Sequence, residues 1–435
     1  MANHSSSHAL PPGPAEKMDL QTDDASFQRI QLILRAYPDI CRVSARTRKN
    51  DTFVLNEPKL IKHILIDNHK NYTKGIGFER AKLLLGNGII VSDGDLWNRQ
   101  RRMVQPAFHR EMLKILTRTI QTASQDLLGR WRQLAEGNEA IDLTAAMSEF
   151  ALEVILRSLF GEDLDFMIEE AGRNPFSIFT EAHERDLNLA VKFRALMRPV
   201  RSVVERRRGK TEHPDMLGVL MAARDSKGEP MSDKALVDEV MTLIVAGHET
   251  SAITLTWMWY LLSQHPDVED RLLAEADALG DKASPEHEDL PQLAYCRQVM
   301  FETLRLYPPV WLFSRRARQE DRFGDYRIPA GSDILISPYL LHRREDLWPD
   351  AERFDPGRFA DAEAHKHRRT TFIPFSAGPR KCIGDVFATA EIQIHMGTIA
   401  RHVVLRRPPG QRIELEFGIN LRSKHPIKMI LRLRR

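Results

Sequence analysis

Residues Phe375 to Gly384 read FSAGPRKCIG and place one cysteine, Cys382, in a glycine-bearing loop that runs into an amphipathic helical stretch from about Asp385 to His402. A thiolate there faces the free N–H groups and positive dipole end of the following helix, which favours the anion, and an iron atom would complete its deprotonation. Backbone N–H donors to the sulfur also tune a metal's potential. These are the requirements of a thiolate ligand to a haem iron. Gly378 and Gly384 suit backbone that turns with positive φ or passes close to a flat macrocycle. Phe375 can keep water from the sulfur, and Arg380 offers a cation to a propionate. An isolated intracellular cysteine is ordinarily a small buried hydrophobe. Phe, Gly, Arg, Cys and Gly at these five offsets, however, should arise by chance on the order of once in ten thousand such chains.

A second concentration of chemistry lies in SDKALVDEVMTLIVAGHETSAITLTWMWYLLSQHP, from Ser232. The spacing predicts a helix of about 32 residues, roughly 48 Å long, whose middle is apolar on every side, so it must cross the core. Inside it stand Ala246, Gly247, His248, Glu249 and Thr250. An interior glycine costs about 1 kcal/mol and the polar groups need partners. A small-residue notch at Ala246 and Gly247 lets a ligand or cofactor lie against the helix, Thr250 can bond to its preceding turn or to a bound molecule, and Glu249 can relay a proton. The bland alternative is an ordinary helix with a back-bonded threonine and a glutamate in a salt pair.

Three further groups serve positions around these two. Trp97 and Arg101 lie one helical turn apart in DLWNRQRRMVQPAFHR, so an indole N–H and a guanidinium point the same way; with Arg316 and Arg380 they could neutralise two propionates. Glu302 and Arg305, at i and i+3, form by default a surface pair of small value, but with Arg358 they could form a buried triad that packs the loop before Cys382 onto the core. Arg99, Arg102, Arg353 and Lys381 could form a basic face near the cysteine, suited to an acidic electron donor. Candidate pocket walls are Ile89 to Ser92, Leu243, Ala246, Val310, Leu312, Phe313 and His425, mostly apolar, which points to a lipophilic substrate.

The elements that must hold these groups are mainly helical. Periodicity begins near Asp24 and stops at Tyr37-Pro38. β-like segments follow at Cys41 to Thr47 and Thr52 to Leu55, and Pro58 opens another helix. A glycine-rich loop leads to a helix near Asp95, and amphipathic runs follow at Arg110 to Leu134, Thr144 to Phe160, Asn188 to Arg208 and Ser232 to Gln264. Strand signals return in GDYRIPAGSDILISP and RIELEFGINLRS. The expected fold is mainly α with a small β region, as a single domain over residues 24–435. The Ser/His/Pro-rich residues 1–23 are expected to form a disordered tail. A net charge of +3 on 435 residues gives no nucleic-acid footprint. Three widely spaced cysteines, no signal peptide and no long apolar run lead us to expect a cytoplasmic protein without a transmembrane segment.

Together these residues resemble the cytochrome P450 superfamily from about Asp24 to Arg435. The family's cysteine loop appears as FSAGPRKCIG, its oxygen-activating helix as AGHET, its Glu-x-x-Arg helix as ETLR, its meander as FDPGRF and its propionate-binding turn as WNRQR, in the family's order. The resemblance implies b-type haem between the long helix and the helix after Cys382, with Cys382 as axial ligand. It also implies monooxygenation using O2, with Glu249 and Thr250 as proton relay. LGNGIIVSDGDLWNRQRRMVQPAFHR is similar to soluble bacterial relatives of the fatty-acid-oxidising, eukaryotic-like branch. No flavin or ferredoxin domain follows, so electrons are expected from a separate ferredoxin or flavodoxin with its reductase. The region from Phe160 to Arg208, where the family keeps two lid helices, is short. This implies either an open mouth for a bulky substrate or a pocket rebuilt by neighbouring loops. Fatty acids, terpenoids and steroids all suit an apolar pocket. Haem-thiolate peroxygenases and isomerases typically lose the acid-alcohol pair, which this chain has. A non-catalytic haem-binding protein would leave both that pair and the basic face without a purpose.

Overall fold

Ser232 sets the start of the longest element: its hydroxyl accepts from the Ala235 N–H and caps a helix over Asp233–Leu262. In the computed structural model, which describes residues 9–135, 140–180, 193–209, 213–361 and 370–434, this central helix is 30 residues long and buried along most of its length. Apolar residues on all its faces require cover on all sides. Helices Leu143–Phe160, Ala294–Leu306 and Asp385–Ile399 supply part of it, and Arg110–Ala135 packs outside them against Asp385–Ile399. Trp259 of the central helix meets Trp131 edge to face at 6.3 Å and donates from Nε1 to His395 of the cysteine helix at 3.0 Å. A buried indole N–H needs such a partner.

The β region is small and lies to one side. Its largest sheet has five strands in the order Ile40–Val43, Thr52–Leu55, Asp333–Ile336, Phe313–Ala317, Tyr72–Lys74. The pairing of Thr52–Leu55 with Asp333–Ile336 is parallel and the other three pairings are antiparallel. A three-stranded sheet joins Ala140–Asp142, Lys428–Leu433 and Val403–Arg406, and Leu415–Phe417 pairs with Leu421–Ser423 as a hairpin. The mainly α fold with a small β region is as the sequence predicts, with most element ends within a few residues of the pattern.

One difference from the expectation has a physical cause. Residues 9–23, expected as disordered tail, are packed: Leu20 is fully buried and Met18 nearly so, against Val43, Leu312 and Trp311. The Arg42 N–H donates to Pro12 O and the Met18 N–H to Ser44 O, so this proline-rich segment covers the edge of the strand Ile40–Val43. The few apolar residues of a polar segment gain enough from burial to order it. The Phe160 to Arg208 region contains helices Asp163–Ala171 and Met197–Arg207, and its centre, 181–192, lies outside the described residues.

Candidate active site

The loop before the cysteine helix is folded back on itself: the Cys382 N–H donates to Phe375 O at 2.9 Å, and Gly378 stands at φ 70°. A Cβ on Gly378 would lie 1.9 Å from Leu65 O, so only glycine permits this approach. Gly384, by contrast, has φ −96° and caps the cysteine helix. Of the three cysteines, Cys41 and Cys296 are buried and Cys382 is exposed. Surrounding protein still pushes the Cys382 thiol above its ordinary range, while a hydrogen bond from the Gly384 backbone and the charges of Arg101 and Lys381 pull the other way. These are the donors that a thiolate ligand needs.

Within this loop, Arg380 is the hub of a cationic cluster. Its guanidinium pairs with Asp93 at 2.5 Å, donates to Ser92 O and lies over the Trp97 ring at 4.4 Å. Arg101 donates to Lys381 O at 3.0 Å, beside the cysteine. Trp97, Arg101 and Arg380 are therefore brought together as the sequence predicts. Arg316 is not. It sits opposite Asp333 in the sheet ladder, pairs with it at 3.0 Å and also holds Glu79 at 2.8 Å. The strand Phe313–Ala317 turns Arg315 to the other face, where it is buried. Burial and the nearby Arg380 push Arg315 down to about 10. Lys74, paired with Arg315 across the ladder, is held well below its usual range by burial and by the same two guanidiniums. Lys74, Arg315 and Arg380 thus share the single carboxylate of Asp93. A cluster with this excess of positive charge beside an exposed cysteine fits the propionates of a haem. Alternation says only that Arg315 and Arg316 face opposite ways; which of them faces inward, and that Lys74 lies across from Arg315, became visible only once the register was known.

On the central helix, Ala246, Glu249 and Thr250 are half-buried within an otherwise buried stretch. Thr250 Oγ1 donates to Ala246 O at 2.7 Å, the preceding-turn bond that the sequence allows. Gly247 does not form a ligand notch. Its open side faces Ile155 of the neighbouring helix, whose Cδ1 would lie 2.9 Å from an added Cβ, so this glycine permits two helices to cross closely. His248 is a core residue: its Nε2 meets Ser148 Oγ at 2.9 Å, and burial pushes it down to about 4. One residue beyond Thr250, Ser251 donates to Glu391 at 2.6 Å, tying the central helix to the cysteine helix. Glu391 is fully enclosed and pushed up to about 8 by burial.

The Glu302-Arg305-Arg358 triad is present, with Glu302 and Arg305 buried and Arg358 half-buried. Arg305 makes two bonds to Glu302, at 2.7 and 2.8 Å, and donates to the carbonyls of His342, Ala351 and Arg353. Arg358 stands 3.5 Å from Glu302, which also accepts the Asp355 N–H at 2.9 Å. The pair locks the 342–358 segment to the core. Among the pocket candidates, Leu243 and Leu312 are core residues, Val310 and Phe313 remain half-buried, and His425 is exposed on a turn. Leu312 belongs to the core that holds Trp311 and Phe27.

A mainly helical fold with a cysteine-bearing loop, a cationic cluster beside it and a long helix carrying Glu249-Thr250 defines the class of haem-thiolate proteins. Cytochrome P450 is the family whose description matches this chain, over residues 17–172 and 173–430. A cyclooctat-9-en-7-ol 5-monooxygenase of Streptomyces melanosporofaciens is 35% identical over 87% of this chain and 84% of its own. A pentalenene oxygenase of Streptomyces avermitilis is 30% identical over 84% of each. A retinoic-acid-bound cyanobacterial P450 superposes with a TM-score of 0.85, at 24% identity, over 98% of this chain and 100% of that one. The chain belongs to the cytochrome P450 family, and its activity is that of a monooxygenase. The family's cofactor is haem. Cys382 with Gly384, and the Trp97, Arg101, Arg315, Arg380 and Lys74 cluster, fit that group.

Proposed function

We propose that this monooxygenase binds b-type haem through Cys382 and hydroxylates a lipophilic, polycyclic terpenoid, using O2 and two electrons from a separate ferredoxin or flavodoxin system. The carrying observation is the exposed Cys382 at the head of a helix that Glu391 and Ser251 tie to the Glu249-Thr250 turn. The terpenoid class is supported by the relatives' stated substrates, cyclooctat-9-en-7-ol and pentalenene. Fatty acids and steroids remain the competing classes.

When bound, haem with a thiolate ligand supplies the O2-activating chemistry. The chain's own residues have separate tasks. Trp97, Arg101, Arg315, Arg380 and Lys74 hold the cofactor's carboxylates and fix its orientation. Val310 and the 89–92 segment hold an apolar substrate and exclude water from it. Thr250 Oγ1, held on Ala246 O, and Glu249 beside it would hold and pass a proton at this turn of the central helix. Arg102, Arg353 and Lys381 are exposed, and such cations suit an acidic electron donor.

The test is the carbon monoxide difference spectrum of the dithionite-reduced protein, followed by titration of the ferric form with polycyclic diterpenes, sesquiterpenes, steroids and fatty acids. A thiolate-type Soret band with spectral displacement by terpenes is expected. A folded, haem-loaded protein lacking that band would refute the ligand assignment, and displacement by fatty acids or steroids alone would refute the substrate class.

A further inference from the structure

Segment 86–92 bridges the two halves of the site. At one end the Asn87 N–H donates to Asp238 at 2.9 Å and the Ile89 N–H to Glu239 Oε2 at 3.0 Å, both on the central helix. At the other, Ser92 O accepts from Arg380, two residues from Cys382. A Cβ on Gly88 would stand 2.0 Å from Thr242 Oγ1, so backbone lies directly on the helix here. On that helix Glu239, Thr242 or Leu243, Ala246 and Thr250 follow one stripe at helical spacing, so the segment covers the same face that carries Thr250.

The contact layer contains an unbalanced polar group. Glu239 is wholly buried and its Oε1 has no hydrogen-bond partner among the described residues. In the same layer Thr242 Oγ1, Gln100 Oε1 and Ser92 Oγ also have none. Gln100 donates its amide to Asn87 O at 2.6 Å, leaving its oxygen turned elsewhere. The cations nearby are committed: Lys234 pairs with Asp238 at 2.6 Å, and Arg99 with Asp225 at 2.7 Å. The charge bearing on Glu239 is the neighbouring carboxylate of Asp238, which repels a second negative charge. An ionised Glu239 would be buried without a counter-ion among the described residues, whereas a neutral one accepts from Ile89 through Oε2 and carries on Oε1 a proton for which the layer has spare acceptors.

We propose that neutral Glu239 is the latch holding segment 86–92 closed over the pocket, which makes it a positioning residue for substrate. The segment's role as pocket wall rests on the proposed function; the latch itself is a property of the folded chain. Burial and Asp238 push Glu239 up to about 7 from an ordinary 4.5. A proton is therefore taken up on closing, so closure is strongest in acid, weakens as pH rises from the ordinary value to the raised one, and is level above it.

Hydrogen–deuterium exchange of the haem-loaded full chain tests this, read on peptides covering 86–92 and corrected for the intrinsic pH dependence of exchange. Protection should fall about tenfold between pH 6 and pH 8.5. In Glu239→Gln, which keeps the acceptor and is neutral at every pH, protection should stay at the acid value throughout. Flat protection in the unsubstituted protein, or a Gln variant that follows its pH profile, overturns the latch. If Gln is not tolerated, the titration of the unsubstituted protein alone decides. Failure of the carbon monoxide band would sink the proposed function while leaving this measurement intact.

Discussion

Arg315 and Arg316 differ by one position and by everything that matters to an arginine. Arg315 is buried among cations with one carboxylate to share, while Arg316 is half-buried and satisfied by the buried Asp333 and by Glu79. Arg315→Gln should therefore raise the haem dissociation rate roughly tenfold, as loss of a charge-assisted hydrogen bond would. Arg316→Gln should leave haem retention unchanged but, because it strips the buried Asp333 of its cation, cost about 1–3 kcal/mol of stability. Transfer of haem to apomyoglobin checks the first and urea denaturation the second; equal effects on haem transfer would refute the assignment. At this scale the sequence was informative where a residue's neighbours along the chain define its task. Cys382, Arg380 and the Trp97-Arg101 turn were legible from their own loops and helices. Arg315 was not, because two adjacent arginines on a strand face opposite ways and only the register tells which faces inward. Glu239 was equally hidden, since its partner Ile89 is 150 positions away in the chain.

Helices declared themselves through periodicity and caps, and the Ser232 cap and apolar run marked the central helix almost to the residue. What its pattern could not show is which neighbour each face meets. Gly247 is the example: a small residue beside a reactive turn suits a ligand, yet it faces Ile155. Gly247→Val should overpack that crossing and cost about 1–3 kcal/mol. The expected result is a melting temperature lower by several degrees with the haem Soret position unchanged. A shifted Soret band without loss of thermal stability would instead place the glycine against the cofactor. The 9–23 segment escaped detection for a related reason. Its composition is that of a tail, and the few side chains that anchor it gain their value from a strand edge distant in sequence.

The whole molecule depends on long-range ties that are few and demanding. Glu302→Ala would leave Arg305 charged, fully buried and short of its counter-ion, a change that costs about 3–5 kcal/mol. Urea unfolding of the apo or haem-loaded protein should show the midpoint fall accordingly, and a loss below about 1 kcal/mol would show that the buried pair is dispensable. ETLR was legible as a motif, but its five-bonded seat was not, since the carbonyls that complete it come from 37 to 48 positions further along. Substitutions accumulating in a chain built this way are constrained unevenly. Neither Glu302 nor Arg305 can be exchanged singly without an intermediate that folds poorly, so this pair is effectively frozen. Surface loops and pocket walls, bound by no such two-step barrier, are left free to wander toward new molecules.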